Sequence, residues 1–211
     1  MRNWPLFDLR LHTPRLELRL PGLADLDALA DLAAEGVHDP SEMPFAVPWT
    51  DAEPQERARG TVQHHWETWA AWTPTSWHCN FVAVRDGEVV ATQGLIGRDF
   101  PTLHEVSTGS WVGRRHQGQG IGTEMRTAVL HLAFEGLNAV RAITSAYADN
   151  PASLAVTRKL GYEPNGTSYR PRRGEPAEEI HFALTPTRWA KTPHAPVEIT
   201  GLPPCRRLFG L

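Results

Sequence analysis

Apolar and polar positions along this chain alternate in some stretches and follow a helical spacing in others. Leucines alternate with charged residues over residues 16–20, which predicts a half-buried strand. Residues 23–34 carry a leucine at every third position with acidic residues between them, and this spacing predicts an amphipathic helix. A second helix is predicted over residues 56–72, where Trp66 and Trp69 are three positions apart. The first predicted elements are therefore a strand and two helices.

The remaining apolar runs predict further strands and helices. Residues 81–84 and 88–96 flank Asp86-Gly87, a dipeptide typical of tight hairpin turns, and are predicted to pair. The elements that follow are a strand over 104–112, a helix over 123–134, a strand over 139–147, a short helix from Asn150, and an antiparallel pair over 166–169 and 179–184. The order β-α-α-β-β-β-α-β-α-β-β predicts an α/β (mixed α+β) fold whose mixed sheet has helices on both faces.

Three alternating glycines lie between the strand that ends at Val112 and the helix that follows, in the run Gln-Gly-Gln-Gly-Ile-Gly of residues 117–122. Glycines have no Cβ, so a ligand can come close to the main chain. The amides in the first turn of a helix have no partner within the helix, and the helix dipole adds positive charge there. These features predict a phosphate site, and Arg114 and Arg115 just before the loop are candidate charged donors.

Two common phosphate-binding motifs do not fit this loop. A Walker loop ends in Gly-Lys-Ser/Thr, and no such triplet follows Gly122. A dinucleotide fingerprint places its third glycine where Thr123 stands, and an acidic residue about 20 positions later, where residues 141–146 have none. A nucleotide-dependent oxidoreductase or kinase is therefore a remote alternative.

The loop and two other stretches resemble a known family. Gln-x-x-Gly-x-Gly after a strand is similar to the coenzyme A loop of the N-acetyltransferases of the GNAT superfamily. Asn150, which lies 28 residues after Gly122, begins an Asn-Pro-Ala-Ser run that resembles, with the Lys-Leu-Gly-Tyr of residues 159–162, the second coenzyme A motif of that family. The Thr-Pro-Arg-Leu-x-Leu-Arg of residues 13–19 resembles the opening strand of its ribosomal-protein alanine acetyltransferase (RimJ/RimL-type) branch. The resemblance spans roughly residues 11–189.

The resemblance implies a GNAT fold, in which the fourth and fifth strands splay apart beside the loop and admit the pantetheine arm of acetyl-coenzyme A. It also implies that the acetyl group passes directly from acetyl-coenzyme A to a primary amine in a ternary complex. The residues that it places against the coenzyme are Trp111, Val112, Arg114, Arg115, Gln117, Gly118, Gln119, Gly120, Ile121, Gly122, Thr123, Asn150 and Ser153.

Three chemical tasks of this reaction point to candidate catalytic residues. A base takes the proton of the amine, whose pKa of about 10 keeps it mostly protonated at neutral pH. The resemblance favours Glu105 for this role, with a water relay as the alternative. The family presents its oxyanion donor at a strand bulge, which predicts a bulge within residues 109–111. The tyrosine acid that the family often carries is replaced here by Thr157, and Ser153 is the candidate substitute, as in the branch that the chain resembles.

The acceptor side of the cleft in this family is formed by the first two helices and the loop between them. Here that loop is proline-flanked and carries Phe45 and Trp49, which are the candidate substrate-binding residues for an apolar or cationic acceptor. Trp66 and Trp69 are expected to pack in the core instead. The acceptor is a protein N-terminus or a small-molecule amine. The replacement of the tyrosine by Thr157 keeps one alternative, a catalytically degenerate module that binds acyl-coenzyme A and regulates a partner.

Length, charge and composition narrow the remaining choices. A chain of 211 residues is expected to form one domain over residues 1–190, with residues 191–211 as a C-terminal extension of unassigned role. The formal net charge of −3 gives no reason to expect binding to nucleic acid or to a membrane. Two cysteines and scattered histidines lack metal-ligand spacing, so no metal is expected. A cytoplasmic location is predicted because no signal sequence is evident, and a homodimer is compatible with these properties.

Overall fold

The computed structural model describes every residue of the chain, from Met1 to Leu211. Its strands are β1 (Arg10–His12), β2 (Glu17–Arg19), β3 (Trp77–Arg85), β4 (Glu88–Gly97), β5 (Glu105–Val112), β6 (Arg141–Tyr147), β7 (Glu163–Arg172), β8 (Glu175–Leu184) and β9 (Glu198–Thr200). Its helices are α1 (Leu23–Glu35), α2 (Pro54–Ala70), α3 (Phe100–Leu103), α4 (Ile121–His131), α5 (Pro151–Lys159) and α6 (Pro186–Trp189). The predicted order of elements is confirmed, and β1, α3, α6 and β9 are short additions to it.

All nine strands belong to one sheet, in the order β7-β8-β6-β5-β4-β3-β2-β1-β9. Neighbouring strands are antiparallel except for β5 and β6, which are parallel. These two strands pair only over residues 105–107 and 141–143, so the sheet has a gap beside the second half of β5. The predicted mixed sheet, splayed between the strand over 104–112 and the next one, is confirmed.

Helices cover both faces of the sheet because successive residues of a strand point to opposite faces. On β3, Phe81 packs in the main core together with Met125 of α4, whereas its neighbour Val82 packs against Leu29 of α1. The sheet therefore has an α4–α5 face and an α1–α2 face, and the gap lies between the two layers.

The tryptophans of α2 differ in exposure. Trp69 packs against the main core, as expected. Trp66 is 50% exposed, so the prediction that it packs in the core is wrong. The two residues are three positions apart, about 300° around a helix, which is enough to bring one to the edge of the buried stripe and leave the other in solvent.

The C-terminal stretch belongs to the same folded unit as the rest of the chain. β9 pairs with β1 at the edge of the sheet, and Cys205 and Phe209 are fully buried in the main core. The indole Nε1 of Trp72 donates a 2.8 Å hydrogen bond to the carbonyl of Leu208. The last segment therefore covers apolar surface of the rest of the chain that would otherwise face water.

Candidate functional site

The gap in the sheet lies next to the glycine loop. Between β5 and α4, Gly118 and Gly120 have φ angles of 73° and 79°, a conformation that residues with a Cβ rarely adopt. Glu124 N donates to Gly120 O at 3.1 Å, so the amides of residues 121–123 project from the end of α4 without a partner in the helix. The loop therefore has the geometry that an anion site requires.

Glutamine side chains fasten the loop to its surroundings. Gln117 Nε2 donates to Val112 O at 2.9 Å and to Val37 O at 2.7 Å, which joins the loop to the end of β5 and to the segment after α1. Gln119 Oε1 accepts from Arg85 Nη1 at 2.7 Å. Both predicted coenzyme contacts thus use their side chains within the protein, and the main-chain amide of Gln119 is left for a ligand.

Glu124, in the first turn of α4, is buried and was not among the residues predicted from sequence. Its Oε1 accepts from Thr13 Oγ1 at 2.7 Å, and its Oε2 accepts from Arg15 Nε at 2.7 Å. Arg15 Nη1 also donates to Gln119 O at 3.0 Å. The Thr-Pro-Arg motif is therefore a clamp on the glycine loop, and its arginine neutralises a carboxylate that would otherwise repel an anion there. A glutamate two residues after the last glycine was the signal available in the sequence.

The two arginines before the loop interact with carboxylates of the protein. Arg115 donates to Glu88 Oε1 at 2.8 Å and also to Glu35. The hydrogen bond with Glu88 raises the pKa of Arg115 and lowers the pKa of the Glu88 carboxyl. Arg114 Nη2 lies 3.9 Å from Asp39 Oδ2, beyond hydrogen-bond distance. Both arginines are exposed, but only Arg114 can turn towards a phosphate without giving up a hydrogen bond.

The direction of main-chain groups along β5 decides which of them face the gap. The carbonyl of Thr108 accepts from Thr144 Oγ1 of β6 at 3.2 Å, so it points towards the gap. Main-chain groups alternate in direction along a strand, so those of Ser110 and Val112 also face the gap, whereas those of Trp111 face β4. The carbonyl of Val112 accepts from Gln117, so it is the amide of Val112 that is positioned to pair with an extended ligand. Trp111 contributes its side chain to the α1–α2 face.

The prediction of a bulge within residues 109–111 is wrong. β4 and β5 pair in unbroken register over residues 91–97 and 106–112. Gln93, which is fully buried, donates to the carbonyls of Gly94 at 3.0 Å and Gly109 at 3.1 Å and so fastens the two strands at this level. A side chain that bonds both strands holds them in register where a bulge was expected.

The second predicted coenzyme motif forms the start of α5. Asn150 Oδ1 accepts from Ser153 N at 3.1 Å, which is the geometry of a helix cap. The side chain of Ser153 is partly exposed and its hydroxyl is available to a ligand. Thr157, one turn later, is fully buried, and its hydroxyl accepts from Arg126 Nη1 at 3.0 Å. The position of the missing tyrosine is therefore part of a buried polar cluster.

Glu105 is the first residue of β5, seven positions before Val112. At the rise of a strand this separation is ~23 Å. The carboxylate Oε2 lies 3.2 Å from Arg141 Nη1 of β6, in the segment where the two strands pair. The structure thus places the predicted base in an ion pair at the end of β5 that is distant from the glycine loop.

Aromatic side chains cover the α1–α2 face beside the gap. The segment of residues 43–51, called here the aromatic loop, carries Phe45 and Trp49, whose ring centroids are 5.2 Å apart. The ring of Trp49 lies 5.8 Å from that of Trp111 on β5. The structure therefore brings both predicted substrate-binding residues next to the strand that borders the gap.

A strip without side chains crosses the sheet under this face. Gly94 and Gly109 are register partners on β4 and β5. A Cβ at Gly94 would lie 2.8 Å from His78 Nε2 and 3.0 Å from Asn80 Oδ1, whereas a Cβ at Gly109 would meet open space. The two glycines form a floor that leads from these β3 side chains to the gap, and we call it the glycine floor.

Three imidazoles lie at the far end of the glycine floor. The ring of His64 is 5.5 Å from that of His78 and 6.1 Å from that of His65, and Asn80 Nδ2 lies 3.4 Å from His64 Nε2. Burial lowers the pKa of His65 to about 3 and that of His78 to about 4, so both are uncharged at neutral pH. This cluster can accept a hydrogen bond without adding positive charge.

The β7–β8 hairpin reaches across the cleft to the aromatic loop. Arg173 Nη2 donates to Asp51 Oδ1 at 2.6 Å, and Arg172 Nη1 lies 3.3 Å from the carbonyl of Met43. Arg172 also makes two hydrogen bonds with the carboxylate of Asp149, at 2.8 and 2.5 Å. Charged groups that are exposed or half-buried therefore hold the aromatic loop over the cleft.

Other features lie outside this site or were not found. Two surface cavities of about 530 and 440 Å³ lie beside α1 and beside the β1–β2 turn, and no residue of the glycine loop lines either of them. No three His, Cys, Asp or Glu side chains are grouped as metal ligands. No helix has both the length and the apolar composition needed to cross a membrane.

The parted strands and the glycine loop at the start of α4 are those of an acetyltransferase of the kind that the three sequence motifs predict. The model of the acetyltransferase (GNAT) domain matches residues 15–163 of the chain. The chain therefore belongs to the GNAT acetyltransferase family, as predicted.

Solved structures share this fold at low sequence identity. RimJ from Mycobacterium smegmatis, in complex with CoA-disulfide, has a TM-score of 0.69 at 20% identity, over 90% of this chain and 92% of that one. RimL, a ribosomal L7/L12 alpha-N-protein acetyltransferase in complex with coenzyme A, has a TM-score of 0.66 at 19% identity, over 82% and 95%. The microcin C7 self immunity acetyltransferase MccE, in complex with acetyl-CoA and AMP, has a TM-score of 0.66 at 14% identity, over 82% and 93%. RimJ and RimL, which give the predicted branch its name, are thus among the proteins with this fold.

Proposed function

We propose that this protein transfers the acetyl group of acetyl-coenzyme A to a primary amine, by direct attack of the amine within a ternary complex. The observation that carries the proposal is the gap between β5 and β6 beside the glycine loop. Main-chain groups of Ser110 and Val112 are placed to pair with an extended pantetheine arm, and the start of α4 is suited to a pyrophosphate. The clamp of Arg15 on Glu124 holds the loop in this shape, which lowers the ordering cost of binding.

The acceptor amine is proposed to approach from the α1–α2 face, along the glycine floor and under the aromatic loop. The uncharged imidazole of His78 can accept a hydrogen bond from a neutral amine, which is the form that attacks the thioester. The rings of Phe45 and Trp49 offer surfaces to an alkyl group or to a cation. Two acceptor classes fit this approach. One is a protein N-terminus, which is the target named for RimL, and the other is a small-molecule amine.

Glu105 and Ser153 remain the proposed catalytic residues, the first as base and the second as a hydrogen-bond donor to the departing thiolate. The ion pair of Glu105 with Arg141 favours the alternative, in which a water relay takes the proton. The variant Glu105→Gln separates the two. A base contributes roughly 10²–10⁴-fold to the rate, so a loss of that size assigns Glu105, and an unchanged rate assigns the relay.

Thermal unfolding with added ligands tests the coenzyme site. A ligand at 100 times its dissociation constant stabilises the folded protein by about 2.7 kcal/mol, which gives a clear rise in melting temperature. We expect a rise with acetyl-coenzyme A and with coenzyme A. NAD and ATP are the controls and should give none. No rise with either coenzyme at millimolar concentration would contradict the proposed function, and a rise with NAD or ATP would favour a nucleotide enzyme.

Release of coenzyme A thiol in the presence of candidate amines tests turnover and the acceptor class. One set of acceptors contains peptides with free N-termini, each paired with its N-formyl form, and the other contains amino acids, polyamines and aminoglycosides. We expect thiol release with one set and not with the matched blocked compounds. Coenzyme binding without turnover by any acceptor would favour the degenerate regulatory module instead.

Two further expectations belong to the proposal. A cytoplasmic location is checked by cell fractionation with antibody detection. A homodimer is checked by light scattering coupled to size-exclusion chromatography, where a mass near that of a single chain would exclude it.

A further inference from the structure

Arg126 lies on α4, four residues after Gly122, and is only 5% exposed. Its Nη1 donates to Thr157 Oγ1 at 3.0 Å, its Nη2 lies 3.4 Å from Ser110 Oγ, and its Nε has no partner. Burial lowers the pKa of Arg126, but a guanidinium stays charged at neutral pH. Tyr162 is the one titratable group close enough to affect the pKa of Arg126, and burial raises the pKa of the phenol, which keeps it neutral. Arg126 is therefore a buried cation among hydroxyl groups.

The other buried charges of this protein have partners of opposite charge. Three charged side chains are buried, namely Glu124, Arg126 and Glu179. Glu124 binds Arg15, and Glu179 binds Arg170 at 2.6 Å. A buried ion without a counter-ion costs several kcal/mol, because it loses its hydration without an equivalent attraction. The exception at Arg126 indicates that its anionic partner is a ligand rather than a residue of the chain.

The hydroxyl groups around Arg126 are poised to donate elsewhere. A guanidinium can only donate hydrogen bonds, so Ser110 and Thr157 must act as acceptors towards it. Neither hydroxyl donates a hydrogen bond to another group of the chain, so the hydrogen of each remains available. The main-chain groups of Ser110 face the gap, and Thr157 stands where the related enzymes often carry a tyrosine that protonates the leaving thiolate. The polar cluster thus lies behind the part of the gap that is deeper than the glycine loop.

We propose that Arg126 supplies the positive charge that stabilises the coenzyme A thiolate as it leaves, with the hydroxyls of Ser110 and Thr157 as the donors that it orients towards the gap. The inference rests on the proposed acetyltransferase function and adds, beside Ser153, a fixed charge and two donors on the leaving-group side of that reaction. The pyrophosphate is expected at the start of α4, and Arg126 lies one helical turn further along the same side of the helix as Gly122, about 6 Å along its axis. The sulfur end of a bound coenzyme is expected in this deeper region.

The charge balance of the step is complete without a proton from the protein on the sulfur. The amine nitrogen forms a bond to the acetyl carbon, the carbon–sulfur bond breaks, and its electron pair goes to the sulfur. Arg126 keeps its proton and balances the charge of the thiolate, while the proton from nitrogen leaves through the base or through water. The thiolate takes a proton from solvent after release. A fixed cation therefore replaces the acid that the tyrosine provides in related enzymes.

The ultraviolet absorbance of the coenzyme A thiolate tests this inference directly. Coenzyme A is titrated with alkali in the presence of excess protein, and the matched complex with desulfo-coenzyme A is subtracted to remove the ionisation of tyrosines. We expect the pKa of the bound thiol to lie ~1 unit or more below that of free coenzyme A. Arg126→Met should abolish the shift, and Arg126→Lys should keep most of it because it keeps the charge.

Variants of neighbouring residues show whether Arg126 acts on the thiol through its charge or only supports the fold. Thr157→Val removes one oriented hydroxyl donor and keeps the shape of the side chain, so it should reduce the shift in the pKa of the bound thiol. This variant keeps the inference testable if Arg126→Met does not fold. Thr127→Val is the matched control, because this buried hydroxyl bonds only to Thr123 O on the same helix, and the shift should be unchanged. An unshifted thiol in a wild-type complex that binds coenzyme A would overturn the inference and leave the acetyltransferase function standing. A failure to bind coenzyme A and desulfo-coenzyme A alike would overturn the function itself.

Discussion

The two sides of the gap between β5 and β6 are held by different kinds of interaction. On the α4–α5 face, the carboxylate of Glu124 is buried and bound by Arg15, which fastens the glycine loop. On the α1–α2 face, the aromatic loop is held by an exposed ion pair between Arg173 and Asp51. A buried network of charged hydrogen bonds is costly to open, whereas an exposed pair contributes little to stability.

This difference indicates that the coenzyme side is rigid and the acceptor side adaptable. A loop fastened by buried contacts presents one arrangement of amides to a ligand and loses little entropy on binding. A loop held by exposed pairs and ring contacts can move at small cost, which suits a cleft that closes over its substrate.

The largest effect of a substitution at neutral pH is expected for Glu124→Ala. Removing this carboxylate leaves Thr13 Oγ1 and the amide of Arg15 without their acceptor, so the free energy of unfolding should fall by about 2–3 kcal/mol. The affinity for coenzyme A, measured by calorimetry, should fall at least ~10-fold because the loop loses its clamp. Glu135→Ala, at an exposed position beyond α4, is the control. Equal losses in the two variants would contradict the view that buried contacts hold the coenzyme side.

A pH-dependent loss of stability is expected from the acceptor side. The pKa of His65 is lowered to about 3 in the folded protein, so below its ordinary value of about 6.5 the unfolded chain binds a proton that the folded chain excludes. The free energy of unfolding is therefore not reduced by His65 above pH ~6.5. Between pH ~6.5 and pH ~3 it falls progressively, by up to about 1.4 kcal/mol per pH unit. Urea unfolding of His65→Leu between pH 7 and pH 4 should show a flatter profile than the wild type. His12→Leu, at a partly exposed site of β1, should keep the wild-type slope.

A moderate and selective effect is expected for Trp49→Ala. Loss of its ring contact with Trp111 should raise the KM for the acceptor ~3–10-fold, because an aromatic pair contributes about 0.5–1.5 kcal/mol. The dissociation constant for coenzyme A should not change, since the coenzyme side has its own supports. Trp66→Ala removes a tryptophan that lies half exposed on α2 and should leave both constants unchanged. A weaker affinity for coenzyme A in Trp49→Ala would show that the two sides are coupled.

The smallest effect is expected for Asp51→Asn. This side chain is exposed, and its pKa is lowered by the hydrogen bond from Arg173, so the variant removes only a solvent-screened attraction. No measurable change in melting temperature is expected, and the KM for the acceptor should change by about twofold or less. Added salt should affect the wild type in the same direction as the substitution. A loss of stability as large as that in Glu124→Ala would contradict the view that this side is loosely held.

Most of the fold followed from the sequence because long elements repeat their pattern often enough to be recognised. The hairpin of β3 and β4 was predicted from its Asp-Gly turn, and the helix after the glycine loop from its apolar spacing. The strands β1 and β9, which lie next to each other at one end of the sheet, were not predicted, because three residues are too few to show a period of two. Their pairing depends on a partner at the other end of the chain, and local patterns contain no information on it.

The candidate site divides in the same way. Gly118 and Gly120 were identified from sequence because a backbone with positive φ strongly favours glycine, and both glycines can be read directly in the sequence. Glu124 and Arg126 were missed because their roles depend on burial and on partners that are distant in sequence, such as Arg15, 109 positions before Glu124. The surroundings of Glu105 could not be predicted from sequence either, because only the pairing of β5 with β6 brings Arg141 beside it.

The pairing of β1 with β9 affects how the protein reaches its folded state. Arg10 pairs with Thr200, 190 positions later, and Phe209 fills a site beside Trp72 and Trp77. Contacts of such high sequence separation slow folding, because a long loop must close before they form. Until they form, β1 is an unprotected strand edge that can pair with another chain. Folding should therefore finish only after synthesis of residues 198–209, and partly synthesised chains are the forms most exposed to aggregation.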